Sequence, residues 1–159
     1  MIHLTLSTKE RSNLRYTSAR LEKLRVLISA VRLKLESIAL AIKEPVLKKS
    51  LLMFVAETNP CEEEIKHEIL SILNLFPVND LHKPAKNEND ELQFIDPFTC
   101  SEHYEKKIIK AFRDMMNDYE VQPTIRKKLQ HQLNEFLYAF QKLRLLHVFE
   151  GTQQLNNYF

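Results

Sequence analysis

Residues 21–42 read LEKLRVLISAVRLKLESIALAI. Leu21, Leu24, Leu27, Ile28, Val31, Leu35, Ile38 and Ile42 recur at intervals of three and four, and on a helix that spacing makes one apolar stripe. The same segment carries a second stripe. Val26, Leu33 and Leu40 recur every seven residues on the other side, with Ala30, Ser37 and Ala41 near them. A helix at the edge of a bundle needs only one apolar face, so the second predicts another packing partner. The stripe predicts a first helix over about 17–43. Ser7-Thr8-Lys9-Glu10 reads as a capping box that can start it earlier, and Glu44-Pro45 ends it, because proline disfavours a helical residue before it.

Three further helices follow by the same reasoning. Pro45 suits a first helical turn, and Leu47, Leu51, Phe54, Val55, Ile65, Ile69, Ile72, Leu73 and Phe76 extend a second helix over about 46–76. Pro60 interrupts it, but the stripe keeps phase, which favours a kink over a break. Residues 77–99 lack periodicity and hold three prolines; so long a connection suits a crossover between parallel helices, pinned by Leu92, Phe94, Ile95 and Phe98. Thr99-Cys100-Ser101-Glu102 reads as a capping box for a third helix over about 100–119, with Tyr104, Ile108, Phe112, Met115 and Tyr119 inward. A fourth spans about 123–149, with Gly151 as its stop and 152–159 a loosely held tail. The fold class expected is all-α: one four-helix-bundle domain over 1–151.

Composition narrows the chemistry. A single glycine in 159 residues excludes phosphate-cradling loops and dinucleotide fingerprints, which need several, and argues against tight β-hairpins. Two cysteines make no disulfide framework. No run reaches the ~18 apolar residues of a membrane span, and the N-terminus lacks a basic start and long apolar core. The expected setting is therefore a cytoplasm, bacterial or other, without membrane association. Net charge is +2 but segregated. Residues 1–50 hold eleven basic against four acidic residues, residues 51–105 three against twelve, and residues 106–159 nine against five. Oppositely charged helices lying side by side account for this better than a nucleic-acid face does.

Ala41-Ile42-Lys43-Glu44-Pro45-Val46-Leu47-Lys48 resembles the helix–turn of an uncharacterised bacterial family of ferritin-like four-helix-bundle proteins. Cys100-Ser101-Glu102-His103-Tyr104-Glu105, followed by Lys110-Ala111-Phe112, is similar to that family's Cys-Glu-x-Gly-Glu…Lys-Ala-Tyr stretch, with the cysteine one place early. The likeness covers roughly residues 15–148. It implies an up-down bundle with a long middle crossover, usually oligomeric, and no known activity. It sets Glu102 and Glu105 on the family's two glutamates.

A ferritin-like metal site needs two glutamates and two Glu-x-x-His pairs, all directed inward. The chain has one such pair on a helix, Glu64 and His67, which falls off the apolar arc; Glu135 is followed by Tyr138 instead of histidine. Glu62, Glu63, Glu64 and Glu68 read as a solvated face. Glu105 lies within the apolar arc of the third helix, where a carboxylate needs a partner; a tyrosine or an arginine reaching over would serve, and a metal is the alternative. Glu102 reads as the capping-box residue, and His147 as structural. No cofactor is expected; iron or manganese on Glu105, Glu102, Glu64 and His67 is the alternative.

These readings predict a non-enzymatic bundle that works by association with itself or another protein. The expected contact is a homodimer through helix 1, with Val26, Leu33 and Leu40 at its centre. Arg25, Arg32 and Lys34 would rim it and draw acidic partners from the other subunit. The competing expectation has Phe94, Ile95 or Phe98 folding over the stripe within one chain. A divergent metal protein, and an anion or nucleic-acid binder using basic helix 1, are the other functional alternatives.

Overall fold

Ser7 caps the first helix by accepting the amide of Glu10 at 3.1 Å, while Glu10 Oε2 accepts the amide of Ser7 at 3.3 Å. This reciprocal bonding satisfies two amide donors that a helix start leaves open, so α1 runs from Thr8 to Ala41 rather than from residue 17. In this computed structural model the described residues are 7–76 and 96–150, with side chains described as far as 148. Glu44 caps α2, Pro45–Leu73, by accepting the amides of Val46 and Leu47. Helix α3 is Pro97–Met116 and α4 is Pro123–Glu150. The described residues are all-helical, without strands. No helix among them is long and apolar enough to cross a membrane.

Both boundaries of α3 also differ from the sequence reading, and α2 ends at Leu73, short of 76. Helix α3 starts at Pro97 because Asp96 is its N-cap, accepting the Phe98 amide at 3.1 Å and the Thr99 hydroxyl at 2.9 Å. Thr99 and Glu102 therefore form no capping box. The same helix ends at Met116, and Tyr119 is 91% exposed instead of inward. Asp118 is the reason. Its carboxylate accepts the amide of Glu120 and the Tyr16 hydroxyl at 2.6 Å and pairs with Arg20, turning the chain away from the helical path. Those bonds hold the Asp118 carboxyl below its ordinary range, with the Tyr16 hydroxyl the largest cause. Leu92, Phe94, Ile95, Gly151 and the tail lie outside the described residues.

Helix α1 packs on α2 and α3, and α4 packs on the same two. Cross-helix bonds give the directions. Glu68 meets Lys128 near the start of α4, while Glu57 meets Lys142 further along it, so α2 and α4 are antiparallel. Phe98 stacks on His147 at 4.3 Å, so α3 and α4 are antiparallel too. Asp118, past the end of α3, meets Tyr16 and Arg20 near the start of α1. Each helix thus runs opposite to both neighbours. Acidic α2 lies between basic α1 and basic α4, which pairs the segregated charges across the seams.

The core follows the predicted stripes. Leu21, Ile28, Val31 and Leu35 of α1 are fully buried, and burying each such side chain stabilises the fold by about 1.5–3 kcal/mol. Phe54 of α2 meets Phe140 of α4 at 4.6 Å between ring centroids, and Phe112 of α3 meets Phe136 at 5.8 Å, so three helices share one aromatic layer.

Helix α2 is continuous through Pro60, an exposed residue. Pro60 has no N–H, so the carbonyl of Ala56 has no intrahelical donor. Replacing Pro60 with alanine restores the bond on a solvent-facing turn. Pro60→Ala should raise stability to urea by about 1 kcal/mol or leave it unchanged. A loss above ~2 kcal/mol would mean that the fold needs the proline's local geometry.

Candidate functional site

The charged side chains of α1 that face α2 are held from within the chain. Arg32 reaches across the seam and donates from Nη1 to Glu62 Oε2 at 2.6 Å, from Nε to Thr58 Oγ1 at 3.2 Å and from Nη2 to the Val55 carbonyl at 2.9 Å. Thr58 in turn donates to the Phe54 carbonyl at 2.8 Å. Glu62 is 6% exposed, so this is a buried ion pair whose remaining donors and acceptors are largely satisfied. Two turns earlier, Arg25 donates from Nε to Glu22 Oε2 at 2.9 Å. The Glu22 hydrogen bond, opposed by partial burial and aided by the charges of Glu22 and Glu62, raises the Arg25 pKa above its ordinary value.

This corrects two expectations. Glu62 is not part of a solvated face; it neutralises Arg32. Arg25 and Arg32 need no acid from another subunit, because Glu22 and Glu62 of the same chain supply it. The pairing has a trace in the sequence. At 100° per residue Arg32 falls on the shoulder of the core stripe, where a long basic side chain must either reach out or find an acid.

The suggested metal residues are not brought together. Glu105 on α3 is 7% exposed and pairs with Arg144 of α4, the arginine reaching over. Glu102 is exposed and 3.5 Å from Lys106. Glu64 and His67 lie on α2, which does not pack on α3; Glu64 accepts from Gln132 Nε2 at 3.1 Å, and His67 is exposed. Among the described residues no three His, Cys, Asp or Glu side chains form a group able to hold a metal ion. His147 packs its ring on Phe98, which therefore belongs to the α3–α4 end and does not cover the second stripe of α1. Phe94 and Ile95 lie outside the described residues. Burial is the main cause that pushes the Cys61 thiol up to about 12, which leaves it a poor nucleophile.

The second stripe of α1 is on the surface. Leu33 is 62% and Leu40 66% exposed, and Val26 is half-buried. Across the seam, α2 adds exposed Leu52, Met53 and Ala56, which with Pro45, Lys48 and Lys49 line a shallow, mainly apolar groove. The Arg32 bonds to residues 55, 58 and 62 place Leu33 level with this groove. The α2 contribution was missed by the stripe reading, although the run Leu51-Leu52-Met53 signals it, because only Leu51 can face the core. The outer side of α1 and α2 thus combines aliphatic side chains with small residues and with Lys48 and Lys49, over a layer of internally neutralised charge.

Compared with protein-family models, with curated proteins and with solved structures, the chain matches none.

Removing one member of the buried pair leaves the other uncompensated. Glu62→Gln should destabilise the chain by about 3 kcal/mol in urea unfolding, whereas Arg32→Met with Glu62→Leu should lie within ~1 kcal/mol of wild type. A single substitution as mild as the double one would remove the node from the account of the α1–α2 seam.

Proposed function

We propose that this protein is a non-enzymatic helical bundle that acts by association, and that it associates with itself through the outer side of α1 and the first half of α2. The observation that carries the reading is the exposure of Leu33 and Leu40 on α1 together with that of Leu52 and Met53 on α2, the helix it packs against. Scattered surface aliphatics are ordinary, but four large ones on two helices that pack together are a composition that suits a contact surface. The buried polar groups support the same reading. Glu22, Glu62 and Glu105 each hold an arginine, so they are spent on structure. The two cysteines are buried and not disulfide-bonded to each other, which suits the reducing cytoplasm.

The proposal includes a ferritin-like arrangement. Its support is the set of antiparallel neighbours, with α2 ending beside the start of α4 and α3 starting beside the end of α4. A connection from one end of the bundle to the other joins such helices, and residues 77–95 are the part of the chain available for it.

Leu33→Glu puts a charge at the centre of the proposed contact without touching the core. By light scattering, wild type should have the mass of two chains at high micromolar concentration, and Leu33→Glu the mass of one, with helicity unchanged. A wild type that stays at the mass of one chain, 18.8 kDa, would overturn the association reading.

A further inference from the structure

The outer side of α1 and α2 matches itself under a two-fold rotation. Take an axis perpendicular to both helices, at the level where Arg32 bonds Val55 and Thr58. That level holds Leu33 on α1 and Ala56 on α2. On α1, Val26 and Leu40 stand seven residues to either side of Leu33. On α2, Lys49 and Glu63 stand seven residues to either side of Ala56. A seven-residue step returns to nearly the same face of a helix and advances ~10 Å along it.

We propose that two copies of this chain pack face to face about this axis, α1 antiparallel to α1 and α2 antiparallel to α2. The proposal rests on the association reading and names its geometry. Leu33 meets Leu33 of the second copy at the axis. Val26 meets Leu40 on either side of it, a half-buried residue against a protruding one. Ala56 lets the two α2 helices approach closely, with Leu52 set toward the turn of Asn59 and Pro60. Lys49 of each copy faces Glu63 of the other.

Charge complementarity is what selects a second copy as the occupant. Lys48 and Lys49 have no ion-pair partner among the described residues, and Glu63 has only an exposed contact to Lys66 at 3.3 Å. A lysine, Lys49, and an acid, Glu63, at equal distances on either side of Ala56 on one helix face suit an antiparallel copy of the same helix. A parallel pairing would set lysine against lysine. The face is two helices wide, about 20 Å, and about 30 Å long; with its relief that is of the order of the ~800 Å² per partner of a specific interface.

The test is a charge swap read by sedimentation equilibrium of the full chain. Lys49→Glu alone and Glu63→Lys alone each set like charges opposite one another twice per dimer. Each should weaken dimerisation roughly tenfold. The double variant Lys49→Glu/Glu63→Lys should return to within about threefold of wild type, because the pair is re-formed with its signs exchanged. Both substituted positions are exposed, so helicity should not move. A dimer that is broken by Leu33→Glu but indifferent to both single charge changes would overturn this geometry and leave the association reading standing. A double variant as weak as the sum of the singles would overturn it as well. A wild type that never dimerises would overturn both.

Discussion

The α1–α2 seam depends on one buried pair, Arg32 and Glu62. Stripes of leucine and isoleucine make two helices adhere, but apolar contacts are non-directional and tolerate sliding. A guanidinium that must find a carboxylate, a threonine hydroxyl and a backbone carbonyl at once does not. Sliding α1 by one turn would strand a charge in the interior, at a cost larger than any single apolar contact returns. The pair therefore fixes the level of α1 against α2, and that level decides which residues emerge together on the outer side.

The same logic extends around the bundle. Helix α2 carries the acidic excess and lies between two basic helices. Glu62 turns to α1, while Glu57, Glu64 and Glu68 turn to Lys142, Gln132 and Lys128 of α4. Pairings near the surface contribute little stability individually. Their effect is selective: a bundle assembled with α2 in another corner would place like charges together. Charge is thereby consumed along the inner seams. Beside Leu33, Leu40 and Leu52 the outward residues Ser37, Ala41 and Ala56 are small, and Lys49 lies near the α1–α2 turn.

Much of this was legible in the sequence, for a physical reason. Four amphipathic stripes report the apolar core directly, and their helices, the continuity through Pro60 and the exposed stripe at Leu33 and Leu40 all follow from a period of 3.6 residues. The misreadings occur where a side chain bonds locally. Asp96 outcompetes Thr99 as a cap because its carboxylate accepts both an amide and a hydroxyl. Tyr119 fits the periodicity of α3 but lies past a turn that Asp118 makes. Glu62 sits in a run of three glutamates that looks solvated, and only the neighbouring helix shows that Arg32 reaches it. The position of Arg32 on the shoulder of its stripe signals that an acid is needed, but neither helix alone says which glutamate supplies it.

The most direct test of the account is a contact between the methyl groups of Val26 and Leu40 by nuclear Overhauser effect. Fourteen residues apart on one continuous helix, they are separated by ~21 Å within a chain. A cross-peak between them can therefore arise only between two copies packed antiparallel through α1. An antiparallel pair gives that cross-peak at concentrations where the protein has the mass of two chains, and loses it on dilution. A sample of that mass in which Val26 and Leu40 show no mutual contact would contradict that packing.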